Sequence, residues 1–481
     1  MKFLILSENS NGGWPHLYFR SMGAFELRRR IENHGYSAEI LDWFTYWTHS
    51  ELKQMISYHF NNEPNPIIAI STPFNTTDVH KIKPVLLWAK ETYPNLKIIH
   101  GGSRTFDDSL NGLIDVFFLG RSMQMFDAWI QNNNLSEYIR HTNPTVLVNN
   151  NFDEKIDNPV LPILKDSDLL SSKDILGFEI GVGCKFNCTF CNYELRNAKI
   201  TKLVDPYDLR EYLNLAHKKY GVKNYFASDD TLNESDEKLE IVAEAISGLD
   251  YHPQITAYAR LDIINARPSQ LKLLEKIQFR SLFFGIESFN EEASKLVRKK
   301  SGLGNNYDTL LKIKTLCPNT YTVGGVILGL YKDSESSVRE SAKKIVDDRL
   351  LNSLQFYALL ISKSNTITSM DYLSDLDKDP VKYNYKIKNI ATFHHDNKFV
   401  PIYNWESDWI DRDDAEKLRL SLEEEYKGRI DMLGHLEYAG YHALGIYKDI
   451  SYDALKNRSF TISTQLKRNY IKKKLNVTIS N

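Results

Sequence analysis

Cysteine is scarce in this chain, which has only four in 481 residues. Three of them, Cys184, Cys188 and Cys191, fall within eight residues, and Cys317 lies far downstream. This distribution excludes the framework of paired cysteines that stabilises small secreted domains. A reducing compartment would keep these thiols free, and we therefore expect the protein in the cytoplasm.

An excess of charge of one sign is also missing, since 60 Lys and Arg residues are balanced by 62 Asp and Glu residues. This balance argues against a globally basic nucleic-acid-binding protein and against an acidic tail protein. No apolar run approaches the roughly 20 residues that span a bilayer, so no membrane partner is expected. The apolar start, residues 1–7, is too short for a signal peptide and is predicted to be a buried strand.

Several common catalytic motifs are absent. The chain contains no P-loop, no HExxH zinc motif and no GxSxG nucleophile sequence. Each of these motifs places a phosphate cradle, a metal or a nucleophile at a defined turn or helix. The clustered cysteines therefore stand out as the carrier of the chemistry.

The cysteines lie on a glycine-rich loop, residues 181–191, with the spacing CxxxCxxC. Three thiolates so spaced can each bind one iron of a cubane [4Fe–4S] cluster and leave the fourth iron open to a small-molecule ligand. Zinc is the alternative, but a closed zinc site needs four protein ligands, so Cys317 or a distant histidine would have to complete it. Inert core cysteines explain the loop less well, because Lys185 and Asn187 stand between them.

This loop resembles that of the radical S-adenosylmethionine (radical SAM) enzymes, with Phe190 just before its last cysteine and a strand-like run, residues 178–182, before its first. The resemblance implies a [4Fe–4S] cluster whose open iron is chelated by SAM. It also implies that an electron from the cluster cleaves SAM to a 5′-deoxyadenosyl radical, which takes a hydrogen atom from the substrate. A reducing partner such as flavodoxin or ferredoxin would supply the electron.

The alternation of apolar and amphipathic segments predicts an α/β chain with two domains and an α-rich C-terminal region. Residues 1–130 are predicted to form a doubly wound, Rossmann-like parallel sheet, and residues 131–175, rich in Asn, Asp, Ser and Pro, a surface linker. Residues 176–365 are predicted to form a partial (β/α)6 barrel with its active site at the carboxyl ends of the strands. Residues 366–481 are expected to form a lid or substrate region. The predicted strands are 3–6, 38–41, 67–71, 97–100 and 115–119 in the first domain and 178–182, 223–228, 254–258, 280–286, 322–328 and 353–359 in the second.

Polar or glycine residues follow the barrel strands in an order that resembles the radical SAM pattern. An Asp-Asp motif follows the second strand, an arginine the third, a Gly-Ile-Glu-Ser motif the fourth and a glycine the fifth. Charges at these strand ends can meet a zwitterionic ligand, and the alternative is that each forms only a salt bridge at the barrel mouth. The residues that the resemblance assigns to SAM are Phe190, Ser228, Asp229, Arg260, Glu287 and Gly329.

The first domain resembles the cobalamin-binding domain that precedes the barrel in one branch of radical SAM enzymes. Small residues at its strand ends, Ser71, Gly101, Gly102 and Gly120, would let a flat ligand approach the backbone, although ordinary glycine turns are the alternative. The chain departs from the family in two places. Residues 8–13 contain no DxHxxG sequence, so no lower axial histidine for cobalt is evident, and residues 120–123 read Gly-Arg-Ser-Met instead of Gly-Glu-Gly-Glu.

We therefore predict a radical SAM enzyme with one [4Fe–4S] cluster. Its substrate is a small molecule or a biopolymer that the sequence does not identify. The reaction after hydrogen abstraction is either cobalamin-dependent methyl transfer or a rearrangement or oxidation without cobalamin. With only Cys317 to spare, the chain lacks the extra cysteines of the methylthiotransferases and of enzymes with auxiliary clusters.

A hypothesis of another class is a non-catalytic iron–sulfur or zinc protein that binds nucleic acid. Its basis is the segment 454–481, which has seven Lys or Arg residues and no acidic residue. This segment is expected to be a solvated surface helix or a frayed tail, with contact to a phosphate-rich substrate as the less favoured interpretation. Formation of 5′-deoxyadenosine separates the two hypotheses, because a binding module would produce none.

Overall fold

A computed structural model describes most of the chain. The described residues are 1–9, 17–72, 77–102, 107–120, 123–148, 158–193, 196–197, 202–299, 302–363, 373–395, 398–446 and 451–479. Among the helices within these ranges, none combines the length and apolarity that a membrane span requires.

The first sheet has seven strands in the order β2-β1-β3-β4-β5-β7-β6. The pairs among β1 to β5 are parallel, and the five strands predicted from sequence are confirmed to within two residues at each end. The strands are β1 Lys2–Ser7, β2 Ser37–Asp42, β3 Pro66–Ser71, β4 Lys97–Gly101, β5 Val116–Leu119, β6 Ile139–Thr142 and β7 Thr145–Val148. The helices of this part are α1 Met22–Asn33, α2 His49–His59, α3 Thr77–Thr92 and α4 Met123–Ile130.

Part of the predicted linker, residues 131–175, is regular structure instead. β7 pairs parallel with β5, and β6 returns antiparallel to β7, so this hairpin extends the first sheet. Val146, Leu147 and Val148 are fully buried there. This short apolar run lies between polar residues, so the sequence does not mark it as a strand. It is buried because it pairs with the edge of β5. The domain boundaries themselves remain predictions.

The second sheet has six strands, β8 to β13, which pair in parallel in the order of the sequence. This is the predicted partial barrel, with helices on its outer side. The strands are β8 Ile175–Phe178, β9 Asn224–Ala227, β10 Gln254–Ala259, β11 Ser281–Glu287, β12 Tyr321–Leu328 and β13 Ser353–Ala358. The helices are α5 Pro206–Tyr220, α6 Asp236–Ser247, α7 Leu261–Ala266, α8 Gln270–Ile277, α9 Glu291–Leu296, α10 Leu303–Leu316 and α11 Glu335–Asp347.

The first barrel strand ends earlier than predicted. The apolar run 178–182 was expected to be the strand, whereas β8 ends at Phe178. Beyond it, the Ile180 and Gly181 amides donate hydrogen bonds to Asp229 instead of to a neighbouring strand. The apolar residues of this run are buried because they anchor the cysteine loop to the barrel core.

The C-terminal region combines helices with a β-hairpin that the sequence did not predict. α13 packs on the outer side of β13, whereas α14 contacts β10, β11 and β12, and α15 contacts α2 of the first domain. The elements are α12 Asp375–Lys378, β14 Lys386–His395, β15 Lys398–Glu406, α13 Arg412–Tyr426, α14 His435–Leu444 and α15 Tyr452–Ile479.

The basic segment of α15 is not the solvated helix or frayed tail that we expected. Arg468 pairs with Glu51 at 2.7 Å, and Lys474 pairs with Glu39, both in the first domain. Lys467 is fully buried, with its ammonium group 4.3 Å from the centre of the Tyr46 ring. Several of the seven basic side chains are therefore committed to contacts within the protein.

The buried Lys467 is expected to make stability depend on pH. Burial lowers the pKa of Lys467 to about 8, and the negative Glu8 nearby only partly opposes this shift. In the unfolded chain Lys467 keeps a pKa of about 10.4. Below about pH 8 the buried ammonium is charged and destabilises the folded state, and this destabilisation disappears as the pH rises to about 10. The thermal unfolding midpoint of the wild type should therefore rise relative to that of Lys467→Met across this range. A constant difference between the two proteins would contradict this prediction.

Candidate active site

The cysteine loop follows β8 and lies at the carboxyl ends of the barrel strands. Cys184 and Cys188 are buried and Cys191 is partly buried. The Cys184 sulfur lies 3.6 Å from the Thr231 hydroxyl, and the Cys191 sulfur accepts a hydrogen bond from the Tyr193 amide at 3.4 Å. The loop is thus held by the barrel, with its thiols turned towards the strand ends.

Two of the three thiols have raised pKa values. Burial, with a smaller contribution from Cys188, Cys184 and Asp230, raises the pKa of Cys191 to about 11 against the opposing hydrogen bond from the Tyr193 amide. Burial also raises the pKa of Cys184. Metal ions reverse such shifts, because a coordinated thiol loses its proton outright.

The described side chains do not form a site for a single metal ion. Among them, no three His, Cys, Asp or Glu side chains stand close enough to hold one metal ion. A cubane cluster does not require that proximity, since each of its cysteines binds a different iron.

Arg260 contacts the cysteine loop directly. Its Nη1 atom donates to the Cys188 sulfur at 3.1 Å, and its guanidinium lies 4.0 Å from the centre of the Phe186 ring. Two further hydrogen bonds to Asp262, at 3.0 and 2.8 Å, fix the plane of the guanidinium. This bidentate pairing aims one positive charge at a cluster ligand.

Asp229 lies beneath the loop and is fully engaged by protein groups. Its two carboxylate oxygens accept from the amides of Ile180 at 2.8 Å and Gly181 at 3.0 Å. Lys238, whose side chain is almost completely buried, adds an ion pair at 2.7 Å and also pairs with Glu234 at 2.7 Å. Asp229 therefore positions the loop, and the structure offers it no free oxygen for SAM.

The neighbouring Asp230 has a different environment from Asp229. Both residues follow the end of β9 at Ala227, where the chain turns, and Asp230 is exposed whereas Asp229 is buried. Burial raises the pKa of Cys184, Cys191 and Tyr258, and the negative charge of Asp230 adds to each shift. The assignment of Asp229 to SAM remains a prediction.

Three other residues assigned to SAM, Ser228 and Glu287 at strand ends and Phe190 on the cysteine loop, contact other parts of the protein. Ser228 donates to the Phe178 carbonyl at 3.1 Å and contacts Met22 of α1. Glu287 pairs with Lys299 at 2.6 Å. Phe190 is partly buried against the barrel core. Their assignment to SAM remains a prediction.

Gly329 does not present an open surface to a ligand. A Cβ atom at this position would lie 2.2 Å from the Trp405 ring, and the residue has φ of +98°. Trp405 is fully buried and donates to the Leu359 carbonyl at 3.0 Å. β15 therefore covers the carboxyl ends of β12 and β13 through this tryptophan, a long-range contact that no local pattern indicates.

Alanine at Gly329 is expected to disrupt the packing of Trp405 over the carboxyl end of β12. Left-handed backbone costs a non-glycine residue about 1–2 kcal/mol, and the collision with Trp405 should add about 1–3 kcal/mol. The matched control is Gly428→Ala, because Gly428 has φ of +75° and open space around its Cβ position. Denaturant unfolding of the two variants should show the larger loss for Gly329→Ala, and equal losses would contradict the contact.

The four small residues predicted at the first-domain strand ends line one cavity. Ser71, Gly101, Gly102 and Gly120 form part of its wall, together with residues of α1 and α4. Its cavity volume is about 220 Å³, whereas a single water needs roughly 10–15 Å³. The cavity can therefore admit part of an organic ligand.

One wall of this cavity is the segment between β8 and the cysteine loop. Glu179, between β8 and the first cysteine, belongs to its wall, as do Asn158 and Val160. Sequence reasoning missed Glu179, although a carboxylate in the apolar run 178–182 was a signal. No axial histidine comes from β4, because the His100 ring packs 5.7 Å from Phe117 and its Nε2 bonds the Thr72 hydroxyl at 2.9 Å.

Comparison with known proteins agrees with this geometry. The model of the Radical SAM superfamily matches residues 178–345. A curated relative from Pyrococcus horikoshii, the uncharacterized methyltransferase PH0819, is 24% identical over 163 residues, which are 34% of this chain and 34% of that protein. The chain thus aligns with about a third of the length of this relative.

Solved structures share the fold over nearly the whole chain. The radical SAM methyltransferase TsrM from Kitasatospora setae, with cobalamin and a [4Fe–4S] cluster bound, has a TM-score of 0.64 at 12% identity and covers 98% of this chain and 100% of its own. The cobalamin-dependent SAM radical enzyme OxsB has a TM-score of 0.61 at 12% identity, over 98% of this chain and 71% of its own. Residues 178–345 are thus similar to the Radical SAM superfamily, and nearly the whole chain has the fold of these two structures.

Proposed function

We propose that this protein is a radical SAM enzyme that transfers a methyl group through cobalamin to a substrate from which it has abstracted a hydrogen atom. The observation that carries the proposal is the adjacency of the two candidate cofactor sites. The first-domain cavity includes Glu179, which stands five residues before Cys184. The wall of the cavity thus continues along the chain into the cysteine loop.

Cys184, Cys188 and Cys191 would hold the cluster, which supplies the electron that cleaves SAM. Arg260 places a positive charge 3.1 Å from the Cys188 sulfur, and positive charge near a cluster favours its reduced form. Among the described residues, the exposed Asp230 and the Lys299-paired Glu287 are charged groups that would lie near a zwitterionic ligand at the barrel mouth. Asp229 and Lys238 act below them by fixing the loop.

The first-domain cavity would hold the nucleotide tail of cobalamin, a cofactor that carries a transferable methyl group on its cobalt. Ser71 and the three glycines suit a bulky ligand because they leave the backbone accessible. His100 faces the other side of the sheet, so the cobalt would have no ligand from β4. Flavodoxin or ferredoxin is the proposed source of electrons.

The nucleic-acid-binding alternative loses most of its support. It depended on the basic segment 454–481, yet Lys467 is buried and Arg468 and Lys474 pair with acidic residues of the first domain. Charges neutralised in this way contribute little to binding a polyphosphate.

The direct test is to reconstitute the protein anaerobically with iron, sulfide and cobalamin, reduce it and add SAM. We expect 5′-deoxyadenosine and methionine, and corrin absorbance that stays with the protein on gel filtration. Ser71→Phe should abolish corrin retention without loss of iron, whereas Ser336→Phe, at an exposed position of α11, should retain both. A fully loaded protein that leaves SAM intact would overturn the proposal.

A further inference from the structure

A groove on the outer side of the barrel runs beside the cysteine loop. Its cavity volume is about 540 Å³, and its walls include the loop residues Lys185 and Phe186, helix α7 and helix α10. The Thr309 hydroxyl of α10 donates a hydrogen bond to the Asn265 side chain of α7, and this contact joins two of the walls. The groove is therefore formed by the protein alone, and a loop or a side chain of a partner can enter it.

Phe186 connects this groove to a predicted ligand of the cluster. The residue is partly buried and belongs to the groove wall. The Arg260 guanidinium lies 4.0 Å from the centre of the Phe186 ring, and its Nη1 atom donates to the Cys188 sulfur at 3.1 Å. Two side chains that contact each other thus lead from the groove to Cys188.

Most of the exposed charges in the groove wall are positive. Among the described residues of the wall, four charged side chains are exposed, namely Lys185, Arg267, Lys312 and Asp308. Burial lowers the pKa of Lys185, and the nearby positive charge of Arg267 lowers it further against the opposing charge of Glu234. Clustered charges of one sign attract a partner of the opposite sign.

The other two carboxylates of the wall are committed to contacts inside the protein. Glu234 is buried and pairs with a lysine of α6 at 2.7 Å, and Asp262 pairs with Arg260 at 2.8 Å. Arg267 has an acidic neighbour, Asp236, at 3.7 Å, but 47% of the arginine side chain stays exposed. A partner that docks on the groove would therefore meet more positive than negative charge.

We propose that a small acidic electron-transfer protein of the flavodoxin or ferredoxin kind docks on this groove and reduces the cluster from there. This inference rests on the proposed function, because SAM and substrate would occupy the inner side of the strand ends and leave the outer side to the donor. One electron leaves the reduced centre of the partner, which is oxidised, and reduces the cluster, with no atom transferred. Electron-transfer complexes bury little surface, so complementary charge steers their encounter.

Titration of the reconstituted protein with oxidised flavodoxin tests the docking site without electron transfer. Calorimetry should show saturable binding. Arg267→Glu and Lys312→Glu should each weaken it about 10-fold at low salt, which corresponds to about 1.4 kcal/mol, and added salt should reduce this difference. Asp308→Asn, which removes the exposed negative charge, should strengthen binding about threefold. The matched control is Lys456→Glu, which reverses an exposed lysine of α15 and should change binding less than about twofold.

Stopped-flow absorbance of the cluster gives a second readout with flavodoxin hydroquinone as the donor. Lys312→Glu should slow reduction about 10-fold below saturation, whereas reduction by dithionite, which needs no docking surface, should change less than about twofold. Iron content and the far-UV spectrum should show that each variant is folded and loaded. Absence of saturable binding, or equal effects of Lys312→Glu and Lys456→Glu, would overturn the inference.

The outcome is separable from that of the proposed function. Formation of 5′-deoxyadenosine with dithionite, combined with flavodoxin binding that does not depend on Lys312, would overturn only the docking site. Flavodoxin binding that depends on Lys312, combined with SAM left intact under dithionite, would overturn only the proposed function.

Discussion

Alanine at Cys184, Cys188 or Cys191 is expected to abolish cluster assembly, whereas alanine at Cys317 is expected to leave about four irons per chain. The first three thiols share one loop at the carboxyl ends of the barrel strands. Cys317 instead ends α10, four residues before β12 begins, which places it at the opposite end of the barrel. Burial also raises the pKa of Cys317 to about 11, so its thiolate is rare at neutral pH.

Iron and sulfide assays after anaerobic reconstitution measure this difference, with visible absorbance as a second readout. Cys317→Ala is the matched control, because it removes a thiol of similar burial. Stoichiometric zinc without iron would refute the cluster assignment. Equal loss of iron in Cys317→Ala would refute the choice of ligands.

Loss of the Asp229 carboxylate is expected to have the largest effect on stability. Asp229→Ala leaves the Ile180 and Gly181 amides without acceptors and removes one of the two partners of the buried Lys238. Removal of one partner from a buried ion pair costs about 3–5 kcal/mol. Asp230→Ala removes an exposed carboxylate of the same motif and should cost less than about 0.5 kcal/mol.

Denaturant unfolding of the apo proteins compares the two variants without interference from cofactors. Similar stabilities for Asp229→Ala and Asp230→Ala would show that Asp229 does not anchor the loop. Asp230→Ala should instead lower the pKa of the Cys191 thiol.

Features set by local pattern and by general rules of topology were predictable from the sequence. The buried run at 67–71 defined a central strand, and the rule that ligands bind at the carboxyl ends of parallel strands led to the cavity lined by Ser71, Gly101, Gly102 and Gly120. The spacing of the cysteines indicated the loop. In each case neighbouring residues carried the whole signal.

Features that depend on distant packing were not predictable. Trp405 fills the space above Gly329 from 76 positions further along the chain, and nothing near either residue indicates the contact. Asp229 rather than Asp230 is buried because it meets the Ile180 and Gly181 amides and Lys238, contacts that the Asp-Asp motif does not reveal. His435 begins a helix whose burial is decided by the barrel that it enters, so its sequence suggests only an ordinary amphipathic segment.

The packing of α15 on the first domain has a consequence for synthesis of the protein. Lys474 and its partner Glu39 are 435 residues apart, and Tyr470 and Ile471 complete an apolar core that includes β1 and β3. At about 5–20 residues per second, roughly 20–90 seconds separate translation of the sheet from translation of the helix that covers it. During that interval the nascent first domain would leave the apolar surface beneath α15 uncovered, and transiently exposed apolar surface favours aggregation.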